Sequence, residues 1–405
     1  MDMTMSNFVK RSFAVGALLL TFGLPAAAQQ DREQETEFAS WRLPGWSFTP
    51  GLAIGVTRDS NVALAALGDT AKPQADSLFG IEPYGSLEFF DSRTTFSAGY
   101  RGYVRRYVEI DELNGFDQTG YLQFRHMATK RISVFARNDY LNVPTTDEVM
   151  LNGLPFQRTG TRTNTAATGL QARLTKFTNL TARYELYWID FDNEGTELTG
   201  GWVNGVYLNV NRHLTERATI GAEYSVRLAD LNHGLREMSF NDAGAVVTYA
   251  IGAHTTVSAA AGISHLSDQL LRQTRTAPYF RGGIVRTLQT STIGASYERT
   301  FVPSFGIGGS NESQELRGYV HMPIPKNRAY VDGSAAWRHA IPYLAKDLEL
   351  DSFVTHATVG YAITRWFRVE GYHAYTRQDS KVTGGEIDRH RIGAQLVISQ
   401  PMRIE

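Results

Sequence analysis

The chain contains no cysteine in its 405 residues, so disulfides, thiolate metal sites and cysteine nucleophiles are excluded. It lacks an excess of either charge: 40 Lys and Arg stand against 41 Asp and Glu, a formal net charge of -1. A nucleic-acid binder would show a basic face or stripe, so no nucleic-acid partner is expected. Beyond the N-terminus no apolar run reaches the roughly 20 residues that a spanning helix needs. The 10 His form no pair with metal-ligand spacing, and no nucleophile motif stands out. The expectation is therefore a non-enzyme with no catalytic residue, cofactor or metal. His373 and His390, near Tyr375 and Arg389, read as polar residues of a wall or rim.

What is present is 37 Gly beside 19 Tyr and 21 Phe, with 42% hydrophobic residues. This composition favours strands and sharp turns. The first residues hold Lys10 and Arg11, an apolar stretch from Phe13 to Leu24, Pro25, and then Ala26, Ala27 and Ala28. A basic start, a short apolar core and a small-residue cleavage site read as a secretory signal peptide over 1–28. A short periplasmic segment, 29–46, follows. Export without cysteine suits a Gram-negative envelope protein better than a small secreted domain.

The remainder alternates with period two. Leu180, Ala182, Tyr184, Leu186 and Trp188 interleave with Thr181, Arg183, Glu185 and Tyr187. Ala218, Ile220, Ala222, Tyr224 and Val226 do the same with Thr219, Gly221, Glu223, Ser225 and Arg227. Successive strand side chains point to opposite faces, so each segment has an apolar and a polar face. The segments exceed the usual five or six residues, carry full charges mid-strand, and collect aromatics near their ends, as at Trp188, Trp337, Tyr361 and Trp366. This is the pattern of an outer-membrane barrel. The predicted fold is all-β, a single transmembrane antiparallel up-and-down barrel over 47–400, with a short tail at 401–405.

Short turns are expected at 91–93, 128–131, 176–179, 211–217, 251–254, 288–291, 325–328 and 363–366. They imply about 18 strands, with 16 as the alternative, and both termini on the periplasmic side. The short turns are basic, with Arg93, Lys130, Arg131, Lys176, Arg212, Arg217, Lys326, Arg328 and Arg365. The longer connections are acidic, with Glu109, Asp111, Glu112, Asp117, Asp190, Asp192, Glu194, Glu197, Asp347, Glu349 and Asp351. An acidic rim would hold divalent cations against lipopolysaccharide phosphates, or serve only as solvated loops.

A barrel of this size has room for an aqueous channel. The alternation puts Arg101, Arg105, Arg125, Arg137, Arg173, Arg183, Arg227, Arg317, Arg338, Arg368 and Arg391 on the inner face. With them go Glu82, Glu88, Asp139, Glu185, Glu223, Glu298, Asp332 and Glu370. Such a lining either sets a field that selects ions or forms a mutually paired network that keeps the wall wet. Tyr84, Tyr103, Tyr107, Tyr187, Tyr319 and Tyr372 share that face, as stacking surfaces for sugars or as girdle residues. The longest connection, 142–160, either folds inward as a constriction or stays free.

In the last strand Arg391, Gly393, Leu396 and Ile398 resemble the insertion signal read by the barrel-assembly machinery. Ile398 stands where such signals carry an aromatic residue. The opening strand from Pro50-Gly51-Leu52 to Asp59-Ser60-Asn61 and the hairpins with short basic turns resemble the family called β-barrel porin 2. That resemblance implies an outer-membrane channel in contact with lipid and lipopolysaccharide. Similar barrels in exopolysaccharide secretion imply a periplasmic polysaccharide-export partner as well. Small solutes and an exported polysaccharide both remain as cargo, and a closed structural or adhesion barrel acting through acidic loops is the alternative.

Overall fold

The computed structural model describes residues 44–404 apart from 65–72, 145–158, 193–197, 232–233, 235, 307–308, 325–327, 344–348 and 381–384. The expected signal peptide, most of the segment 29–46, and most of the connection 142–160 lie outside the described residues.

Eighteen long strands follow one another. They are β1 (Gly45–Asp59), β2 (Asp76–Phe90), β3 (Thr94–Tyr107), β4 (Gly115–His126), β5 (Ile132–Pro144) and β6 (Gly160–Arg173). Next come β7 (Thr178–Phe191), β8 (Gly201–His213), β9 (Ala218–Leu231), β10 (Arg236–Ile251), β11 (Thr255–Asp268) and β12 (Gln273–Thr287). The last six are β13 (Thr292–Pro303), β14 (Ser310–Ile324), β15 (Ala329–Pro342), β16 (Leu350–Ala362), β17 (Phe367–Ser380) and β18 (Gly385–Ser399). Each pairs antiparallel with its sequence neighbours, and β18 returns to β1 from Gly51↔Ser399 to Asp59↔Arg391. Closure removes the free edges that an open sheet would leave. A three-residue strand, β19 (Met402–Ile404), continues along β1 opposite Trp46–Phe48. The chain after Ser399 thus extends the closing seam.

Every link is a hairpin, so the connections alternate between two ends: the short turns lie at one, and the longest connections lie at the other together with three of four residues, 232–235, 269–272 and 381–384. The turns fall at the expected windows to within two residues, and three windows run into strand, the one at 251–254 through Ile251 of β10. Thr178 and Asn179 belong to β7, and Asn211 to His213 belong to β8. Asp190 and Asp351, expected in acidic loops, belong to the ends of β7 and β16, and Asp117, also expected in one, is an inward residue of β4 beside Arg105 at 3.0 Å. The loop reading failed there because β4 begins just two residues earlier.

Alternation fixes the two faces. Val56 and Ile392 on neighbouring strands are 58% and 61% exposed on the outer face. Between them on the other face Thr57 and Asp59 are buried. Inward glycines take tyrosine rings from the next strand. Gly51 is the register partner of Tyr84 and Gly393 of Tyr372, and each ring fills the space a Cβ would need. The same pairing recurs at Gly99 with Tyr121, Gly294 with Tyr319, and Gly360 with Tyr330. Such aromatic cover of glycine pins register across a sheet. It also shows why these tyrosines suit the inner wall: they pack against the backbone across the strand gap.

Candidate functional site: the barrel interior

In the strand register the charged residues expected inside share the face of the sheet opposite the exposed apolar side chains. Most meet a partner there. Arg101 lies 3.4 Å from Glu82, Arg137 is 2.5 Å from Asp139, and Arg183 is 3.2 Å from Glu185. Arg227 is 2.8 Å from Asp242, and Glu223 is 2.5 Å from Arg281. Arg317 and Arg338 share the carboxylate of Glu315, with Arg338 Nε at 2.7 Å. Glu370 binds Arg368 and also accepts from Tyr330 at 2.5 Å and from Gln395 at 2.6 Å. Asp332 is 2.5 Å from His321. Glu298 sits in register between Arg281 and Glu315, and Arg391 opposite Asp59. Glu88, Arg125 and Arg173 lie towards the short-turn end, with Arg173 exposed.

The densest group spans β9 to β15, where Glu223, Arg227, Asp242, Arg281, Glu298, Glu315, Arg317 and Arg338 follow one another around the wall. Besides Asp117 and His321, five further inner-face residues absent from the expected list take part in these pairs. Glu315 shares the parity of Arg317, and Arg281 that of Tyr279, so both were readable from alternation. Asp242 was readable from Phe240 and Val246 in the same way. Asp59 and Arg389 stand at strand ends, where alternation gives little help. Arg389 Nε lies 3.0 Å from both carboxylate oxygens of Asp59, and the two side chains are 3% and 0% exposed.

The long-loop end of the interior is apolar, which the sequence did not suggest. Ile189, Phe191, Ala229, Leu231, Met238, Phe240 and Leu266 face inward there and are buried. Phe301 and Phe305 complete the same cluster. They come from the tip of the β13–β14 hairpin, which leaves the wall and folds into the barrel. Arg227 Nη2 donates to the main-chain oxygen of Phe301 at 2.9 Å, reaching from β9. Thr300 Oγ1 donates to Asp242 on β10 at 3.4 Å. Gly306 and Thr199 exchange main-chain hydrogen bonds of 2.8 and 2.9 Å, tying the tip to the β7–β8 connection. The rings of Phe305 and Tyr187 are 5.2 Å apart. A second inward element follows β1: Val62 packs with Leu78 and Tyr107, and Leu64 with Ile387. Asn61 donates to the main chain of Asp388 at 3.2 Å. The interior is therefore polar and charged over its short-turn part and middle, and covered by chain at the long-loop end.

No metal-ligating group of three or more His, Asp or Glu occurs among the described residues. His373 and His390 face outward, 3.3 Å apart, beside Tyr375.

No family model and no curated protein sequence matches the chain. Solved structures of similar shape include Acinetobacter baumannii OccAB4, 10% identical over 89% of this chain and 99% of that one, with a TM-score of 0.47. Pseudomonas aeruginosa OprD is 10% identical over 88% of this chain and 96% of that one, with a TM-score of 0.40. The FrpB iron transporter of Neisseria meningitidis is 9% identical over 85% of this chain and 63% of that one, with a TM-score of 0.46.

Proposed function

We propose that the chain is an outer-membrane channel that passes small polar solutes by diffusion, narrowed at one end by the inward β13–β14 hairpin. The observation that carries this reading is the inversion of the wall: apolar outside, paired charges inside, closed over 18 strands. A barrel of 16 to 18 strands leaves an aqueous passage when its interior is polar. The outer face gives the membrane placement, since only a closed barrel satisfies its backbone in lipid without helices. In this orientation the basic short turns and both barrel termini face the periplasm, and the longer connections face outward beside lipopolysaccharide. Insertion by the barrel-assembly machinery, through Arg391, Gly393, Leu396 and Ile398, belongs to the same reading.

Passage is passive. The charge pairs offer a solute donors and acceptors without a net field of one sign. The hairpin tip occupies space that a polymer chain would need, which favours small solutes over an exported polysaccharide. Liposome swelling with sugars of increasing size tests this. Swelling with a monosaccharide that fades with a trisaccharide supports the reading. No swelling with any sugar returns the chain to a closed structural or adhesion barrel, and equal swelling with long oligosaccharides favours polymer passage.

A further inference from the structure

On the outer face of β17 and β18 two histidines meet. His373 stands opposite Ile392 and His390 opposite Tyr375, so the two are diagonal neighbours across the strand pair. Diagonal side chains on one face reach each other when they are long or aromatic. His373 Nε2 lies 3.3 Å from His390 Nδ1. Elsewhere on the wall imidazoles face groups of another kind. His126 meets Thr94 at 2.9 Å, His265 meets Thr276 at 2.9 Å, and His339 meets Asp351 at 3.0 Å.

The spacing suits a shared ion. Two imidazole nitrogens bound tetrahedrally at about 2.0–2.1 Å stand roughly 3.3–3.4 Å apart. The far nitrogen of His390, Nε2, lies 3.5 Å from Asp388 Oδ1, a buried oxygen without a hydrogen-bond partner. A proton on Nε2 serves that oxygen and leaves the Nδ1 lone pair aimed at His373, and a carboxylate behind a metal-bound imidazole acts in this way. The main chain of His390 is held by Ser60, whose N donates to the His390 oxygen at 2.9 Å and whose Oγ accepts from the His390 N at 2.8 Å. Along β18 the next outward residue is Ile392, 61% exposed in the apolar band. In the other direction come Asp388 and the Arg377–Glu386 pair at 3.0 Å. The two imidazoles thus sit at the border between apolar band and charged rim, and the His390 side chain is 51% exposed.

We propose that His373 and His390 form a binding site for a transition-metal ion of the Zn²⁺, Cu²⁺ and Ni²⁺ class. His373 Nε2 and His390 Nδ1 are the ligands, Asp388 positions the His390 ring, and water fills the remaining coordination positions. Imidazole suits these ions, whereas Mg²⁺ and Ca²⁺ take oxygen ligands. The ion ties β17 to β18 beside the seam that β18 makes with β1. The site lies on the outside of the barrel and stands apart from solute passage along its axis.

Titration of the folded barrel with Cu²⁺ in detergent micelles tests this, with no added histidines on the chain and folding checked by heat-modifiable migration. Electron paramagnetic resonance is expected to show a saturable ion with two nitrogen ligands, which excess Mg²⁺ does not displace. His373→Ala and His390→Ala are each expected to remove that signal, and either serves if the other does not fold. Asp388→Asn is expected to raise the half-saturating Cu²⁺ concentration by about tenfold or more while keeping the two-nitrogen spectrum, as for loss of a partner behind a ligand. His265→Ala, on the same outer face, is expected to change nothing. Zn²⁺ is expected to raise the urea concentration of unfolding in the native chain and not in His373→Ala, since an ion held only by the folded barrel stabilises it. Copper binding that does not saturate, or that survives both histidine variants, overturns the site. An Asp388→Asn titration that coincides with the native one overturns the positioning role.

Discussion

One guanidinium nitrogen of Arg227 holds two elements at once, donating to Asp242 at 2.8 Å and to the main-chain oxygen of Phe301 at 2.9 Å. The wall of the barrel and the hairpin folded inside it are thereby joined through a single side chain. Removing that side chain leaves the Asp242 carboxylate without the Arg227 cation and the Phe301 carbonyl without its donor from the wall. Breaking a buried pair from one side typically costs about 3–5 kcal/mol. Arg227→Leu is expected to lower the urea concentration at which the barrel unfolds, read by loss of heat-modifiable migration on a gel. It should also loosen the hairpin, seen as faster proteolysis between β13 and β14.

The Arg389–Asp59 pair closes the barrel across β18 and β1 with both side chains buried. Asp59→Ala removes the carboxylate that faces the buried Arg389 guanidinium, and Asp59→Ala with Arg389→Leu removes both charges. The double variant is expected to be more stable than Asp59→Ala alone, because the unpaired ion dominates the loss. Urea titrations of the two singles and the double give the coupling directly. Additive losses would show that the two residues do not act together.

The glycine–tyrosine contacts make a steric prediction. Gly393→Val puts a branched side chain where the Tyr372 ring lies, and overpacking of this kind typically costs about 1–3 kcal/mol. Gly120, whose Cβ would meet nothing nearer than 3.8 Å, is the control. Gly120→Ala should leave stability within about 0.5 kcal/mol, the usual range for a change that disturbs no packing.

The outer face should reject charge. Val206→Arg or Leu208→Arg, in the middle of β8 and each 42% exposed, is expected to cost about 2–4 kcal/mol, as for a charge at the bilayer midplane. The same substitution at the inward Ser97, in register with Glu88, should be tolerated, since opposite charges face each other there. Comparable losses at both faces in a lipid refolding titration would contradict the assignment of sides.

Much of this was readable beforehand because one rule, period two, acts on every strand. It gave the class, the 18 strands and the turn positions. The apolar interior was not readable, because β7 ends Trp188-Ile189-Asp190-Phe191, with apolar residues on both faces. Trp188 belongs to the outer face, while Ile189 and Phe191 are buried inside. The inward hairpin was hidden for another reason. Its connection, 304–309, has six residues, far fewer than the β5–β6 connection, so length pointed to 142–160 instead. What turns the hairpin inward is long-range: Phe301 and Phe305 find their apolar partners on β7 to β11, more than thirty residues away in sequence.

The most direct measurement is single-channel recording of the purified barrel in planar bilayers, beside a variant with Phe301→Ala and Phe305→Ala. The account predicts discrete conductance steps for the native chain and larger steps for the variant, whose hairpin has lost its apolar seat. Steps of equal size would contradict the narrowing by the hairpin. No steps from either protein, both folded by heat-modifiable migration, would contradict the channel itself.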